Sequence, residues 1–280
     1  MDALRTARGL TAACHPEPAC AVTLVSAGLA WSVGRGAAGT AAVAVAVLAG
    51  QLSIGWMNDY VDRDRDVRSG RADKPIARGG LPARTVQVAV AAAGIAVIPL
   101  SLLSGWFAGM LHLAAVGSAW AYNLRLKATA LSVLPYAVSF GLLPAFVTAG
   151  LPGRPVIGWL VAAGALLGSG AHFANVLPDL ADDLDTGIRG LPHRIGSRAS
   201  RSAAGGSLLA ASAVLAFGPR GGPGLIAVAG VLVAVVAAAA MLGGEGSGRG
   251  GGGSLDAFRA VLVVAAVDVL LLLSSGHTIR

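Results

Sequence analysis

Charged residues are scarce in this 280-residue sequence. Asp, Glu, Lys and Arg together make up 12% of it, whereas soluble domains carry roughly 25%. The mean hydropathy is +0.72. A chain with so few charges lacks the polar surface that a water-soluble fold presents, so a soluble globular domain is excluded.

Cysteine and aromatic residues are scarce as well. Cys14 and Cys20 match no zinc-ligand spacing and provide no disulfide framework. The first eighteen residues contain Arg5, Arg8 and Glu17 but no apolar core of a signal peptide, so we expect no cleaved signal. Aromatic residues make up 5%, and they do not alternate with basic residues in a patch. We therefore expect no nucleic-acid partner.

Long apolar runs dominate the remainder of the sequence. Windows of roughly 17–25 apolar residues indicate transmembrane helices, and they predict an all-α, polytopic membrane helix bundle with about nine transmembrane helices. The predicted spans are 19–34, 39–57, 86–104, 106–122, 129–149, 156–177, 202–217, 224–242 and 257–275. The glycine-rich segment 243–254 is typical of a flexible connector, and we expect residues 1–280 to form a single domain.

The basic residues predict the orientation of the bundle. With a cytoplasmic N-terminus, all but four of the 21 basic residues lie in cytoplasmic segments; the exceptions are Arg35, Arg154, Arg220 and Arg280. This asymmetry follows the positive-inside rule, and the five tryptophans lie near span ends, as in an interfacial belt. We predict an integral protein of the plasma membrane that contacts anionic lipids.

Acidic residues concentrate at two places that face the cytoplasm in this orientation. Nine of the fourteen acidic residues lie in the loops after spans 39–57 and 156–177, in the clusters 58–66 and 179–185 and at Asp73. One juxtamembrane cluster alone is more typical of a solvated helix face. Two matched clusters favour a cation-binding site.

Helical spacing places the carboxylates of each cluster together. If the second span continues as a helix, Asp59, Asp62 and Asp66 share one face, which Asn58 can join. Asp179 and Asp183 are similarly one turn apart. Such carboxylates repel one another unless a cation compensates, and oxygen ligands without His or Cys indicate Mg²⁺.

Basic side chains close to both clusters in sequence can neutralise a diphosphate. They are Arg63, Arg68, Lys74, Arg125, Lys127, Arg189 and Arg194. Acidic faces and basic loops at a membrane surface suit a molecule with a diphosphate head and an apolar tail that lies between helices.

Asn58-Asp59-x-x-Asp62-x-x-x-Asp66 resembles the first signature of the UbiA family of membrane prenyltransferases, and Asp179-x-x-x-Asp183 resembles the second. His15-Pro16-Glu17, Lys74-Pro75-Ile76 and segments 122–127 and 175–196 also resemble the family, whose members have nine helices. The chain departs slightly at Lys74-Pro75, where many members have Arg-Pro.

This resemblance implies Mg²⁺-dependent transfer of an isoprenyl group from a prenyl diphosphate to an aromatic or other lipophilic acceptor. The transferred group is an alkyl group other than methyl, and the reaction passes through an allylic carbocation. It implies that the catalytic metal ligands are Asp59, Asp62, Asp66, Asp179 and Asp183. The expected supporting and diphosphate-contacting residues are Asn58, Arg63, Lys127 and Arg189.

Two alternatives remain open from the sequence. A membrane terpene cyclase would use the same metal site on the prenyl diphosphate alone, without an acceptor. A non-catalytic bundle that binds or transports a phospholipid-like molecule would need only basic residues, so the acidic residues of both clusters argue against it.

Overall fold

The computed structural model of the protein is helical throughout its described parts. It describes residues 3–71, 74–185, 187–219, 222–243 and 263–274. The helices are α1 (Ala3–Ala13), α2 (Pro16–Ser32), α3 (Gly36–Arg68), α4 (Ala83–Leu102), α5 (Trp106–Leu124), α6 (Val133–Ala149), α7 (Gly158–Val176), α8 (Leu180–Asp185), α9 (Leu191–Phe217), α10 (Leu225–Gly243) and α11 (Val263–Ser274). The predicted all-α class is confirmed.

Nine of these helices coincide with the nine predicted spans. By length and hydropathy, α3, α4 and α7 are the clearest membrane-crossing helices, while α6 and α11 are shorter apolar helices. Large apolar side chains such as Ile95 and Leu225 are exposed on the bundle surface, which is the arrangement expected where lipid replaces water. The chain is an integral membrane helix bundle.

Two features differ from the sequence prediction. α1 lies before the first predicted span, where the sequence has no long apolar run. α9 begins at Leu191, well before residue 202, because Pro192 is accommodated in its first turn and Gly196 joins two helical segments across a kink with φ +81°. Residues 257–262 of the last predicted span and the connector 244–254 lie outside the described residues.

Small residues set the spacing between α6 and α7. A Cβ at Gly164 would lie 2.4 Å from the carbonyl oxygen of Phe140, and one at Gly168 would lie 2.4 Å from that of Tyr136. The two backbones therefore touch along two turns of α7, the kind of close approach that small residues permit between membrane helices. This contact holds the end of α7 beside the first turn of α6.

Buried polar side chains fix the two ends of the bundle. At one end, Arg35 donates hydrogen bonds to the carbonyl oxygen of Val147 and the hydroxyl of Ser104. At the other end, the segments 69–71, 74–82, 125–132 and 177–185 with 187–190 surround the end of α3; we call this the carboxylate end. The acidic residues of interest lie there.

We predict that Gly168→Ala destabilises the bundle, because its methyl group forces α6 and α7 apart. Overpacking of this kind costs about 1–3 kcal/mol, which thermal unfolding in detergent can measure. Gly206→Ala in α9 is the matched control, since a Cβ there meets nothing within 4 Å. Equal unfolding midpoints for the two variants would contradict the proposed backbone contact.

Candidate functional site

The end of α3 buries three carboxylates on one face. The helix continues without interruption from Gly36 to Arg68, so Asp59, Asp62 and Asp66 lie on one side of its last turns, as their spacing predicts. Their exposed fractions are 1%, 6% and 4%. We call these three residues the α3 cluster. Asp64 projects elsewhere and is 76% exposed.

Cationic side chains from three segments contact the α3 cluster. Lys74 Nζ donates to Asp59 Oδ1 at 2.9 Å, and Lys127 Nζ donates to Asp62 Oδ1. Arg65 Nη2 donates to Asp62 Oδ2 at 3.0 Å. Burial lowers the pKa of Lys127, while the negative charges of Asp62 and Asp66 act in the opposite direction. We call Arg65, Lys74 and Lys127 the cation set.

Asn58 supports the α3 cluster through its side-chain amide. Its Nδ2 donates to Asp62 Oδ2 at 3.2 Å and to Asn123 Oδ1 at 3.3 Å. Asn123 in turn donates to the carbonyl oxygen of Ile54 at 3.0 Å. The chain of hydrogen bonds fixes α5 against α3 and orients Asp62. Asn123 belongs to the 122–127 segment noted in the sequence, although no role followed for it there.

The segment before α2 reaches the same place. A Cβ at Gly55 would lie 2.3 Å from the Cys14 carbonyl oxygen, so only glycine lets this backbone rest on α3. His15 then adopts a left-handed conformation with φ +53°, and its Nε2 accepts a hydrogen bond from Lys74 Nζ at 3.0 Å. Burial lowers the pKa of His15, Lys74 lowers it further, and Asp59 raises it. Because Lys74 Nζ can only donate, the Nε2 atom that accepts from it belongs to a neutral imidazole.

The second cluster lies in the turn after α7 and in the short helix α8. Asp179 is exposed, and its carbonyl oxygen accepts the Asp183 amide at 2.8 Å. Asp183 is partly buried, with its Oδ2 3.3 Å from Nε2 of His193. Burial raises the pKa of Asp183, and the nearby positive charge of Arg65 lowers it. Arg65 thus interacts with carboxylates of both clusters.

Two contacts bring the loop of the second cluster beside Lys127. A Cβ at Gly190 would lie 2.6 Å from the Lys127 carbonyl oxygen, so the two backbones approach closely. The amide of Leu191 donates to Ser132 Oγ at 2.9 Å. The segment 125–132 is therefore adjacent to both acidic clusters.

Arg63 and Arg189, expected beside a diphosphate, do not contact the α3 cluster. Arg63 donates to the carbonyl oxygen of Tyr60 at 2.7 Å, and its guanidinium lies 4.5 Å from the Tyr60 ring and 3.4 Å from Asp64. Arg189 is exposed at the rim. Arg65, which the sequence analysis did not single out, contacts the α3 cluster instead, at Asp62. The signal for it was its spacing, three residues after Asp62.

An aromatic group lies where α5, α6 and α7 approach the carboxylate end. The Tyr122 ring meets the rings of Tyr136 at 5.0 Å and His172 at 5.7 Å, both edge to face. His172 is 1% exposed, and its Nε2 lies 3.0 Å from Ser132 Oγ. Tyr122 lies near Asp62 and Asp183. These rings form an apolar wall next to the carboxylates.

Two of the tryptophans assigned to an interfacial belt are hydrogen-bonded inside the bundle. Trp56 Nε1 donates to the carbonyl oxygen of Leu10 at 2.8 Å, and Trp120 Nε1 donates to Ser53 Oγ at 3.2 Å. Trp31 and Trp106 are exposed, as a belt requires. Trp56 and Trp120 are partly buried against α1 and α3, and the placement of the five tryptophans in an interfacial belt stays a prediction.

The donor chemistry of the site fits a hard divalent metal ion. Asp59 Oδ2 is buried and has no hydrogen-bond partner among the described residues, a costly state for a carboxylate oxygen. In the described part of the chain, no three His, Cys, Asp or Glu side chains converge as a metal cage. Mg²⁺ needs no such cage, since it retains waters and binds one or two carboxylates together with substrate phosphates.

Comparison with known proteins gives a consistent result. A family model described as the UbiA prenyltransferase family matches residues 19–244. Comparison with curated proteins finds no match.

Three solved structures share the fold. A structure of digeranylgeranylglyceryl phosphate synthase has a TM-score of 0.73 at 14% identity, covering 97% of this chain and 99% of that chain. A UbiA homologue from Archaeoglobus fulgidus bound to DMAPP and Mg²⁺ has a TM-score of 0.73 at 13% identity, covering 95% and 98%. An apo UbiA homologue from Aeropyrum pernix K1 has a TM-score of 0.67 at 20% identity, covering 91% and 96%.

We predict that Asp59→Asn destabilises the metal-free protein, because it removes the charge opposite the buried Lys74 ammonium. Removing one partner of a buried ion pair costs about 3–5 kcal/mol. Because Lys74 keeps its contact with His15 in this variant, we expect a loss at the low end of this range. Thermal unfolding in detergent with EDTA measures it. Asp64→Asn, at an exposed position of the same helix, serves as the control. Equal losses in both variants would refute the ion-pair interpretation.

Proposed function

Because this chain belongs to the UbiA prenyltransferase family, we propose that it transfers an isoprenyl group from a prenyl diphosphate to a lipophilic acceptor within the membrane. The observation that carries the proposal is the α3 cluster, in which three carboxylates are buried beside cations at an end of a membrane bundle. Ordinary ion pairs on a protein surface form without such burial. A site that gathers both signs of charge suits a metal and a diphosphate together.

In this proposal Asp59, Asp62, Asp66, Asp179 and Asp183 would hold Mg²⁺. The unpartnered Oδ2 of Asp59 supports the assignment. When bound, Mg²⁺ supplies positive charge that stabilises the departing diphosphate. The homologue from Archaeoglobus fulgidus is bound to DMAPP and Mg²⁺, which supports the same choice of metal and donor class.

Lys127, Lys74 and Arg65 are the proposed diphosphate contacts. Their donors already lie at the carboxylates, within reach of an anion placed between the two clusters. Arg189 is exposed at the rim and is proposed to meet the diphosphate as it enters. Arg63 is the least suited of the expected contacts, because its guanidinium is engaged by Tyr60 and Asp64.

Tyr122, Tyr136 and His172 are proposed to line the start of the isoprenyl-binding region. Their rings exclude water, which would otherwise capture an allylic cation. The ring faces also stabilise a developing positive charge. The acceptor carbon would attack on this apolar side of the carboxylates.

We further propose that residues 1–280 act as one domain in the plasma membrane, with the N-terminus and the carboxylate end in the cytoplasm. The excess of Lys and Arg around the carboxylate end supports this orientation. The same residues would contact anionic lipid headgroups. A soluble diphosphate head would then reach the site from the cytoplasmic side.

We predict that Asp62→Ala and Asp183→Ala each reduce Mg²⁺-dependent diphosphate release by at least about a thousandfold, because both clusters hold the leaving group's counter-ions. The assay uses purified protein in detergent with prenyl diphosphates of ten to twenty carbons and a panel of acceptors. Asp64→Asn should retain wild-type turnover, since Asp64 projects into solvent. Unimpaired turnover in both Ala variants would refute the metal-site assignment.

The same assay separates the alternative functions. Diphosphate release that requires an added acceptor supports prenyl transfer. Release with a hydrocarbon product and no acceptor would instead identify a terpene cyclase. Binding of the prenyl diphosphate without Mg²⁺ and without turnover would identify a lipid-binding bundle.

A further inference from the structure

Carboxylate oxygens proposed to bind metal are occupied by cationic side chains in the structure. Lys74 contacts Asp59 Oδ1, Lys127 contacts Asp62 Oδ1, and Arg65 contacts Asp62 Oδ2. Asp66 interacts electrostatically with Lys74 and Arg65. A metal ion can reach Asp59 Oδ1 only after Lys74 leaves it, and Asp62 Oδ1 only after Lys127 leaves it.

The charges of the α3 cluster and the cation set balance each other. Three buried carboxylates face three cationic side chains, so the α3 cluster together with the cation set is close to neutral without any metal ion. A divalent ion arriving alone would add two positive charges beside three existing ones, in surroundings that screen charge less well than water. A divalent ion that arrives with a diphosphate brings compensating negative charge, and that charge also gives the displaced lysines a partner.

We propose that Lys74 and Lys127 make the α3 cluster selective for a divalent metal accompanied by a diphosphate, and against the free metal ion. This inference rests on the proposed function and deepens it. Asp59 and Asp62 release the lysines as they bind the metal, and the lysine ammonium groups move to the diphosphate oxygens. Through each lysine, a bound diphosphate therefore raises the affinity of the α3 cluster for the metal ion.

Lys74 has a partner that suits this exchange. Its Nζ donates to His15 Nε2 at 3.0 Å as well as to Asp59. His15 Nε2 lies 4.0 Å from Asp59 Oδ1, so the ammonium group can leave the carboxylate while it keeps the imidazole. The tight approach of Cys14 to Gly55 fixes His15 in this position. His15 is a positioning residue for Lys74 in this arrangement.

Binding of Mn²⁺ without any diphosphate tests the proposal directly. Electron paramagnetic resonance of the detergent-purified full chain measures bound Mn²⁺ for the wild type, Lys74→Met and Lys127→Met. We expect each variant to bind free Mn²⁺ about tenfold more tightly than the wild type, a coupling of ordinary size between two ligands. Arg78→Met removes a charge from an exposed position of the loop that carries Lys74, and it should leave the affinity unchanged.

A misfolded protein loses metal binding, so a gain in affinity cannot come from damage to the fold. Lys74→Gln and Lys127→Gln give a second pair of variants, because glutamine can still donate a hydrogen bond to the carboxylates without the charge. Affinities for free Mn²⁺ that equal the wild-type value in all four variants would overturn the proposal.

An unreactive thiolodiphosphate analogue of a prenyl diphosphate provides the second measurement. In the wild type it should increase Mn²⁺ binding strongly, and in the lysine variants this increase should shrink. If the analogue recruits Mn²⁺ to the wild type while the variants bind free Mn²⁺ no more tightly, the selectivity is refuted and the proposed function stands. If the analogue recruits no Mn²⁺ to the wild type, both are refuted.

Discussion

The burial of three carboxylates at the end of α3 is the constraint on which the carboxylate end depends. A carboxylate removed from water is strongly destabilising unless charge and hydrogen bonds compensate for it. Here compensation comes from Arg65 on α3 itself, from Lys74 in the loop before α4, and from Lys127 in the turn after α5. The ion pairs of Lys74 and Lys127 each fix one segment against α3, so these two loops are held to the helix by electrostatic contacts.

Close backbone contacts make these ion pairs geometrically possible. Gly55 lets the Cys14 carbonyl rest on α3, and Gly190 lets the loop of the second cluster touch the Lys127 carbonyl. A side chain at either glycine would move a residue of the site: His15 in the first case and Lys127 in the second. The glycine positions therefore act on the site through the backbone, although neither residue has chemistry of its own.

Much of the fold and part of the site could be predicted from the sequence, for identifiable reasons. Hydropathy located the membrane helices, because lipid demands long apolar runs. The spacing of Asp59, Asp62 and Asp66 placed them on one face, because α3 continues past its apolar part. Helical spacing could also have identified Arg65, three residues after Asp62, but the sequence analysis selected Arg63 by its nearness to the acidic residues. The positions of Asp179 and Arg189 depend on a turn and a loop, for which periodicity gives no rule.

Buried carboxyl groups occur in metal-binding sites and also in structural contacts between helices, so burial alone does not distinguish the two. Asp268 is fully buried in α11 and accepts a hydrogen bond from Ser212 of α9. Like Asp59, it has one oxygen without a partner in the part of the chain that the structure describes. Its described partner is the neutral hydroxyl of Ser212 on a neighbouring helix. A hydrogen bond of this kind suits the association of two helices, and it offers no cation that a metal ion could replace. Asp59 is equally buried, but its partner is a lysine on a loop, with a second partner next to it. A site that must accept and release charged ligands needs partners that can be replaced, and this property separates the α3 cluster from the acid in the bundle interior.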